Sequence, residues 1–507
     1  MSRERDPTRA EGAAMRRRKV HLTRRELVAA ATVSGALAAV PPAWGRRLLS
    51  TRARVGPGTF DDGVASGEPG PDAVTFWSRL ETPRARSGAR LVVARDIGMR
   101  RVVATAIVPT GSGVNGTLKA RVGGLQPGTE YFYVWESGSD VSEIGRTRTA
   151  PNPTAPEPLR MAYSSCQHWP SGFYGAHQHA AGLADIDLYL FLGDYVYERA
   201  GSDIRRDLID AVDLRSYRHK YALYRSDPGL RELHRLLPTA HIWDDHEVVN
   251  NYTDNDPPTA PAQRMAAYRA AFEWLPRMTF PRERHRIYKK LQFGTLADVF
   301  LLDERQYRTG KNDGLPRSML GGAQLGWLID ELRRSRATWK IVANQVVIAG
   351  RQEGEERASG DSWDGYAEDR TRLMTDLERF GVENVVFLTG DAHVFMASLL
   401  ASDFEALVDD PNRRPAAVEY VGGSITSPGP DFPEEEIRDR APWVQQYRGA
   451  VHGYAQFDLR PDRLDMVYLD APVFSADPRA TIFERFVQPA GANRMQRFSG
   501  PAARRRV

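Results

Sequence analysis

The sequence predicts an α/β enzyme fold preceded by an all-β sandwich domain. Residues 56–149 form short β-rich runs separated by Gly- and Pro-containing turns, with no convincing amphipathic helix among them. From residue 159 onward, apolar strand-like runs alternate with helical stretches, which is typical of α/β layers with buried strands. A chain of 507 residues is also too long for one ordinary hydrophobic core, so about two to four domains are expected.

The first predicted element, residues 1–45, is an export signal. Nine Lys/Arg and four Asp/Glu precede a mild apolar run, "LVAAATVSGALAAVPPA", and "AWG" gives a small-x-small cleavage pattern after Gly45. The apolar run is about 14 residues long, below the roughly 18–20 needed to span a bilayer, so no stable transmembrane anchor is expected. Arg24 and Arg25 resemble the twin-arginine motif, which implies the twin-arginine translocation machinery as a partner and a periplasmic, cell-surface or secreted protein.

The predicted β-sandwich, residues 56–149, contains four strand-rich stretches: "AVTFWSRL", "ARLVVARD", "RVVATAIVPT" and "TLKARVGGLQPGTEYFYVWE". Within the last of these, "LQPGTEYFYVW" resembles the turn and aromatic strand of fibronectin type III-like domains. Proline-rich residues 150–158 then predict a stiff linker.

The predicted catalytic domain covers residues 159–475. Its strand candidates are "RMAYSS", "DLYLFLG", "TAHIWDD", "ADVFLLD", "WKIVANQVVIAG", "ENVVFLTG" and "AVEYVGG". Helical stretches such as "AQLGWLIDELRRSR" lie between them, and "YAQFDLRPDRLDMVYLD" predicts a β-hairpin. Residues 476–507 are interpreted as a short helix, "PRATIFERFVQPA", followed by a tail.

The charge distribution argues against nucleic acid as a partner. The formal net charge is +4, but the excess of positive charge lies in the first 45 residues. The remaining residues are close to neutral and show no basic stripe interleaved with aromatic residues. Cys166 is the one cysteine in the sequence, so an intramolecular disulfide is impossible.

Four clusters of polar residues follow strand-like runs of the predicted α/β domain. Their members are Cys166 in "SSCQH"; Asp194, Tyr197 and Glu198 in "LGDYVYE"; Asp244, Asp245, His246, Asn250 and Asn251 in "WDDHEVVNN"; and Asp391 and His393 in "TGDAHVF". Ligands of open α/β sheets bind outside the carboxyl ends of the strands, so we expect these clusters to converge.

Each cluster alone has a simpler explanation. A Gly-Asp pair after a strand is often only a turn with a side-chain hydrogen bond, and Asp-Asp-His-Glu could cap a helix. Cys166 could be a small buried apolar residue. Four such clusters together are different, because several packed carboxylates are costly unless cations neutralise them. The pattern therefore predicts a metal centre.

The order Cys, GDxxY, DDHE, GDxH, behind an export signal and a β domain, resembles the alkaline phosphatase D (PhoD) family of metallophosphoesterases. The stretches "FDDGVASGEPGPDAVTFWSRL", "LLDERQYR", "WDGY" and "SITS" support the resemblance, which covers about residues 60–460. It implies a four-layer αββα fold related to that of purple acid phosphatases.

The resemblance also implies an iron ligand set. Cys166 would supply a thiolate to Fe³⁺, Tyr197 a phenolate and His393 an imidazole. Asp194 would bridge the iron to a second metal ion, Ca²⁺. Ferric iron is a hard acid able to deprotonate phenol and thiol ligands, and this chemistry agrees with the implied division.

On the calcium side the resemblance implies Asp245 and Asp391 as ligands. Asn250 is a further implied ligand, and Asp244 is the least firmly placed. Calcium accepts carboxylate, amide and water oxygens without demanding tight geometry.

The implied reaction is hydrolysis of phosphodiesters and phosphomonoesters by in-line attack of a metal-activated water. Asp194 and His246 are the predicted catalytic residues, with His246 protonating the leaving alkoxide or stabilising the transition state. A purely hydrogen-bonding role for His246 is the alternative.

Two other functions compete with this prediction. An exported calcium-binding recognition or adhesion protein would more often show EF-hand-like or repeat calcium motifs, and none is found. A zinc hydrolase would more often show several histidines at ligand spacing, whereas only His246 and His393 lie in the clusters.

Overall fold

The computed structural model describes residues 55–498, apart from 83, 184, 254–260, 281, 311–316 and 351–359. The predicted export signal at 1–45 lies outside the described residues.

The amino-terminal part of the described chain is built from seven strands. They are β1 (Val64–Gly67), β2 (Ala73–Arg79), β3 (Arg86–Ala94), β4 (Val102–Gly111), β5 (Thr117–Gly123), β6 (Glu130–Glu136) and β7 (Gly145–Arg148). Four of these strands form an antiparallel sheet in the order β4-β3-β6-β7. The other three, β1, β2 and β5, end a much larger sheet and pack on the first through residues such as Phe76, Leu91 and Trp135. One layer of this sandwich is therefore continuous with the rest of the molecule.

The larger sheet has ten strands in the order β21-β20-β19-β18-β8-β9-β10-β1-β2-β5. Its further members are β8 (Leu159–Ser164), β9 (Leu188–Leu192), β10 (Pro238–Ile242), β18 (Gly453–Leu459), β19 (Arg463–Asp470), β20 (Thr481–Pro489) and β21 (Gln496–Arg497). The central strands β8, β9, β10 and β1 are parallel, and the strands on both sides of them are antiparallel.

A second sheet has seven strands in the order β11-β12-β13-β14-β16-β15-β17. They are β11 (Lys289–Phe293), β12 (Ala297–Leu301), β13 (Trp339–Asn344), β14 (Val385–Thr389), β15 (Phe395–Leu400), β16 (Ala417–Gly422) and β17 (Val444–Arg448). Strands β12, β13, β14 and β16 run parallel.

The described residues contain eight α-helices. They are α1 (Gly175–Ala181), α2 (Leu214–Arg225), α3 (Pro228–Leu236), α4 (Pro261–Trp274), α5 (Gly321–Arg334), α6 (Ala367–Arg379), α7 (Glu405–Asp409) and α8 (Glu434–Arg440). Short 3₁₀ turns occupy Ser112–Val114, Trp169–Ser171 and Trp363–Tyr366. No helix in the described ranges is both long enough and apolar enough to cross a membrane.

The two sheets face each other between two helical layers, so the architecture is the predicted four-layer αββα sandwich. Strand β13 shows why its sequence is apolar on both faces. Ile341 and Ala343 belong to the core between the sheets, whereas Val342 belongs to the core beneath α5 and α6. The Tyr163 hydroxyl crosses between the sheets and donates to the Tyr420 carbonyl at 3.0 Å.

The carboxyl end of the chain differs from its prediction as a helix. Residues 481–489 form β20, an antiparallel partner of β19. Within "TIFERFVQP" the buried residues are Glu484, Phe486 and Gln488, every second position, with less buried residues between them. This period of two fits a strand, and pairing with the predicted hairpin outweighs the weak local helix preference.

Candidate metal centre

The four predicted clusters meet at one place, where the parallel strands of both sheets end. Three groups of side chains each bring their donor atoms within 4.8 Å of one another: Cys166, Asp194 and His393; Asp194, Asp245 and His246; and Asp244, Asp245 and Asp391. Asp194 belongs to two of the groups, and Asp245 likewise belongs to two. The predicted convergence of these clusters is therefore present in the fold.

The backbone at this place adopts an unusual conformation. Five residues of the clusters have left-handed φ values: Cys166 at 59°, Asp194 at 53°, Asn251 at 57°, Asp391 at 59° and His393 at 56°. Such conformations cost of the order of 1–3 kcal/mol each outside glycine and concentrate at functional sites, although Asp, Asn and His tolerate them best. Sharp turns after the strands thus aim consecutive side chains into one space.

Small residues before the two Gly-Asp aspartates let the loops approach closely. A Cβ atom on Gly193, whose φ is 108°, would lie 2.4 Å from Asp244 Cβ. A Cβ atom on Gly390 would lie 2.8 Å from Ser165 Cβ. Both glycines are therefore required by contact between loops from different strands.

Glu247 ties the loops after β9 and β10 together. Its buried carboxylate accepts the backbone N–H of Asp194 at 3.1 Å, of Tyr195 at 2.8 Å and of Asp244 at 2.9 Å. Burial raises the pKa of Glu247 to about 7. The prediction from sequence named the "DDHE" cluster but gave this glutamate no role.

The predicted iron ligands form a buried set of weak acids. Burial raises the pKa of the Cys166 thiol well above its usual value, and the charge of Asp194 raises it further. The same two causes raise the pKa of Tyr197. The Tyr197 hydroxyl donates to Asp194 Oδ2 at 2.8 Å and lies 2.7 Å from Ser427 Oγ. Both groups would ionise at neutral pH only beside a strongly charged cation.

His393 is oriented by a backbone carbonyl in the loop that follows β16. Its Nδ1–H donates to the Pro428 carbonyl at 2.8 Å, which leaves Nε2 with a free lone pair. That Nε2 atom lies 3.4 Å from the Tyr197 hydroxyl oxygen. A backbone acceptor on one ring nitrogen is the usual way in which proteins fix the tautomer of a ligating histidine.

Several carboxylate oxygens at the centre have no hydrogen-bond donor. They are Asp194 Oδ1, Asp244 Oδ2 and Asp245 Oδ1, all buried. Burial raises the pKa of Asp194 well above its usual value. Buried carboxylate oxygens without a donor are costly unless a cation meets them. Together with the sulfur, phenol and imidazole donors, these oxygens fit a site for more than one metal ion.

Arg305 is a charged member of the centre that was not among the predicted site residues. Its fully buried guanidinium donates through Nε to Asp244 Oδ1 and through Nη1 to Asp361 Oδ1 at 2.7 Å. Its Nη2 lies 3.4 Å from Asp391 Oδ1 and 3.7 Å from Asp245 Oδ2. The sequence signal was available, since "LLDERQYR" also follows a buried strand, β12.

Arg305 makes Asp244 different from its neighbours. The guanidinium pairs with one oxygen of Asp244. Burial raises the pKa of Asp244 to about 6, although the charge of Arg305 acts in the opposite direction. Asp361 is held by Arg305 and also by Arg308, whose Nη2 lies 2.7 Å away. Asp244 thus has one oxygen left for a cation.

His246 lies against Tyr197, one of the predicted iron ligands. Its ring stacks on Tyr197 with centroids 4.1 Å apart, and its Nδ1–H donates to Glu198 Oε2 at 2.7 Å. Burial alone would lower the pKa of His246, but the charges of Asp245 and Asp194 outweigh it and raise the pKa well above its usual value.

Asn250 has a contact through its backbone, whose N–H donates to Glu198 Oε1 at 3.2 Å. Metal ligation by its side-chain amide stays a prediction. The neighbouring Asn251 N–H donates to Asp245 Oδ2 at 2.6 Å and so holds that carboxylate in place.

A four-layer αββα sandwich with clustered metal donors at its strand ends is the architecture expected of a metallophosphoesterase. Residues 161–468 match the PhoD-like phosphatase family, and residues 47–151 match the amino-terminal domain of PhoD-like phosphatases. The chain belongs to the PhoD-like phosphatase family and is a phosphate ester hydrolase.

Individual relatives agree with this assignment. The chain is 32% identical over 471 residues to alkaline phosphatase D of Bacillus subtilis (strain 168), a match covering 84% of this chain and 80% of that protein. A solved structure of PhoD aligns with a TM-score of 0.80 and 30% identity, covering 89% of this chain and 94% of that one. A purple acid phosphatase from yellow lupin (Lupinus luteus) seeds shares the fold, with a TM-score of 0.54 and 11% identity over 84% of this chain and 73% of that one.

Proposed function

We propose that this phosphatase hydrolyses phosphodiesters and phosphomonoesters at a centre that holds Fe³⁺ and Ca²⁺. The position of Asp194 carries the proposal, because its carboxylate is shared between the group that contains Cys166 and the group that contains Asp245. A shared carboxylate is suited to bridge two cations. The different chemistry of the two groups supports two different metal ions.

In this proposal Cys166, Tyr197 and His393 would hold the iron. Asp245, Asp391 and Asn250 would hold the calcium, and Asp194 would be shared between the two sets. Asp244 would add to the calcium set the oxygen that Arg305 leaves unpaired. Asp361 stays with its two arginines and orients Arg305 against the centre.

When bound, the two cations supply Lewis acidity for the phosphoryl oxygens and for the attacking water. The Nδ1–H of His246 donates to Glu198. This hydrogen bond fixes the ring and leaves Nε2 to act on the leaving oxygen. We assign His246 as the proton donor to that oxygen. Stacking on Tyr197 fixes the plane of the imidazole at the centre.

The test is a spectrum with a metal assay. Phenolate and thiolate bound to Fe³⁺ absorb visible light, so purified enzyme should be coloured and contain iron. Tyr197→Phe should weaken or abolish the band, and Cys166→Ser should shift or weaken it. Tyr366→Phe offers a matched control, because its hydroxyl donates to the Thr309 carbonyl away from the centre. Stoichiometric zinc without a visible band would contradict the iron assignment.

A calcium chelator separates the two metal ions. It should stop ester hydrolysis and leave most of the colour, since the trivalent ion has the more strongly donating ligand set. Joint loss of colour and activity at the same chelator concentration would contradict two separate sites.

We propose export by the twin-arginine route, with a mature protein that begins near Arg46. The support is Arg24-Arg25 ahead of a weak apolar run and a centre suited to metal loading before export. Replacing both arginines by lysine should retain the precursor inside the cell. Undiminished export of that double variant would contradict the route.

A further inference from the structure

A groove of about 350 Å³ opens beside the metal centre. Asp391 and Ala392 form its inner end, so the groove is continuous with the calcium side of the site. Its volume lies at the lower end of the roughly 300–1,000 Å³ that small-molecule sites enclose. A phosphate ester held at the centre would extend one of its ester groups into this space.

The walls of the groove are mainly aliphatic. Val394, Met396 and Val444 are buried along its length, and Ile437 of α8 lines it with Ala441 just beyond the helix. A sugar or a nucleobase would need buried polar partners along the groove to be recognised well. Aliphatic walls instead favour an alkyl group through the area that they remove from water.

The ionic groups that line the groove are paired among themselves or with neighbours. Arg440 lies 2.8 Å from Glu436 one turn earlier on α8, and Asp364 lies 2.5 Å from Arg370. In each pair the two opposite charges neutralise each other. They do not provide the convergent hydrogen-bonding groups that a polar alcohol requires.

The outer end of the groove carries an exposed aromatic residue. Phe432 lines the groove and is 49% exposed. Its ring adds to the aliphatic wall that Ile437 and Val444 form. The groove therefore offers apolar contact from the metal centre outward to solvent.

We propose that this groove binds an alkyl chain on one ester group of the substrate. The inference rests on the proposed phosphoesterase function of the same centre and names its substrate class: phosphate esters of alkyl alcohols. The phosphate binds at the metal centre, and the chain lies against Val394, Met396 and Ile437.

The experiment uses metal-loaded enzyme and a series of alkyl 4-nitrophenyl phosphodiesters, from methyl to octyl. The leaving group is constant, so only the alkyl chain changes. We expect kcat/KM to rise about twofold to fourfold per methylene until the groove is filled, as burial of a methylene allows. Values of kcat/KM are taken below the critical micelle concentration of each ester, and the longer esters are also assayed above it.

Two variants change the groove where the fold tolerates it. Helix α8 has no buried residue, so Ile437→Asn should fold, and Phe432→Ala truncates an exposed side chain. Both should lower the octyl-to-methyl ratio of kcat/KM at least fivefold. Phe380→Ala is the control, since Phe380 is an exposed aromatic, 43% accessible, at the far end of α6, and its ratio should match the parent.

Other outcomes overturn the inference in distinct ways. Equal kcat/KM along the series in an active parent enzyme would contradict alkyl binding in the groove. It would not contradict the phosphoesterase function. A rise confined to concentrations above the critical micelle concentration would place chain recognition on a surface instead. No hydrolysis of any diester or monoester by metal-loaded enzyme would defeat the proposed function itself.

Discussion

Asp194 links the donor group that contains Cys166 to a group that contains Asp245. Asp194→Asn keeps the shape of the side chain and removes the charge that two cations would share. We expect metal retention and diester hydrolysis to fall together, measured by metal analysis and a chromogenic diester. Asp330→Asn, on the exposed surface of α5, provides the matched control.

Activity of Asp194→Asn within about threefold of the parent would correspond to less than 1 kcal/mol in the barrier. That outcome would show that Asp194 is not a ligand of the catalytic metal ions.

Arg305 is a buried cation among the carboxylates of the centre, so its removal should make stability depend on bound metal. Arg305→Met leaves Asp244 without its buried cation and Asp361 with Arg308 alone, and breaking a buried pair costs about 3–5 kcal/mol. A divalent cation can replace part of the missing charge. The melting temperature of the variant should therefore fall further in chelator than in excess Ca²⁺, relative to the parent.

The measurement is calorimetry in both buffers, with Arg333→Met on the exposed face of α5 as the control. An equal loss of melting temperature in chelator and in Ca²⁺ would show that Arg305 stabilises the fold without sharing charge with the metal site.

At the scale of elements, the loops after β9 and β10 depend on Glu247. Glu247→Gln weakens acceptors for three backbone N–H groups, so Asp194 and Asp244 should lose their fixed positions. We expect calcium affinity to fall about 10–100-fold, as for other groups that orient metal ligands, with the circular dichroism spectrum retained. Calorimetric titration measures this, with Glu232→Gln on α3 as the control; affinity within threefold of the parent would contradict it.

Strand ends were the most predictable feature of this molecule. The buried runs before Cys166, Asp194, Asp244 and Asp391 identified the strands, and parallel strands bring their carboxyl ends together. The signature of β20 was also in the sequence, but its alternation is short and includes charged residues. Only pairing with β19, which is a tertiary property, decides between strand and helix there.

The partners of Arg305 were harder to predict. Arg305 follows β12 of the second sheet, and its ion pair with Asp244 joins loops from different sheets. A single sequence shows that each loop carries charge, but it does not show which charges neutralise one another. Similarly, "DDHE" contains two aspartates predicted near the metal ions and one glutamate. Only the hydrogen bonds of Glu247 show that this glutamate holds the loops together and is not a metal ligand.

For the whole molecule, buried histidines predict a loss of stability in acid. Burial lowers the pKa of His177 to about 3 and those of His234 and His241 well below their usual value. Between about pH 6.5 and pH 3 the unfolded chain therefore binds more protons than the folded one. The contribution of these three histidines to stability therefore rises with pH across this window, is fully present above pH 6.5 and is lost as pH falls.

His177→Gln isolates one of these groups. Its pKa shift corresponds to about 2 kcal/mol at pH 5 relative to pH 8, so the variant should lose about that much less free energy of unfolding between the two values. Urea titrations at both pH values measure the difference. His219→Gln, at an exposed position of α2, should keep the pH dependence of the parent; the same dependence in His177→Gln would contradict the prediction.

The ten-stranded sheet also affects folding during synthesis, because it pairs strands that are far apart in the sequence. Strand β8, which leads to Cys166, is paired on one side by β18, and the ion pair between Arg160 and Asp458 joins residues 298 positions apart. At about 5–20 residues per second, a ribosome needs roughly 15–60 s to make that interval. Throughout it the strand has an open edge that another nascent chain could join. Any polypeptide released before β18 is complete keeps that edge permanently, so truncated products of this gene should be the aggregating ones.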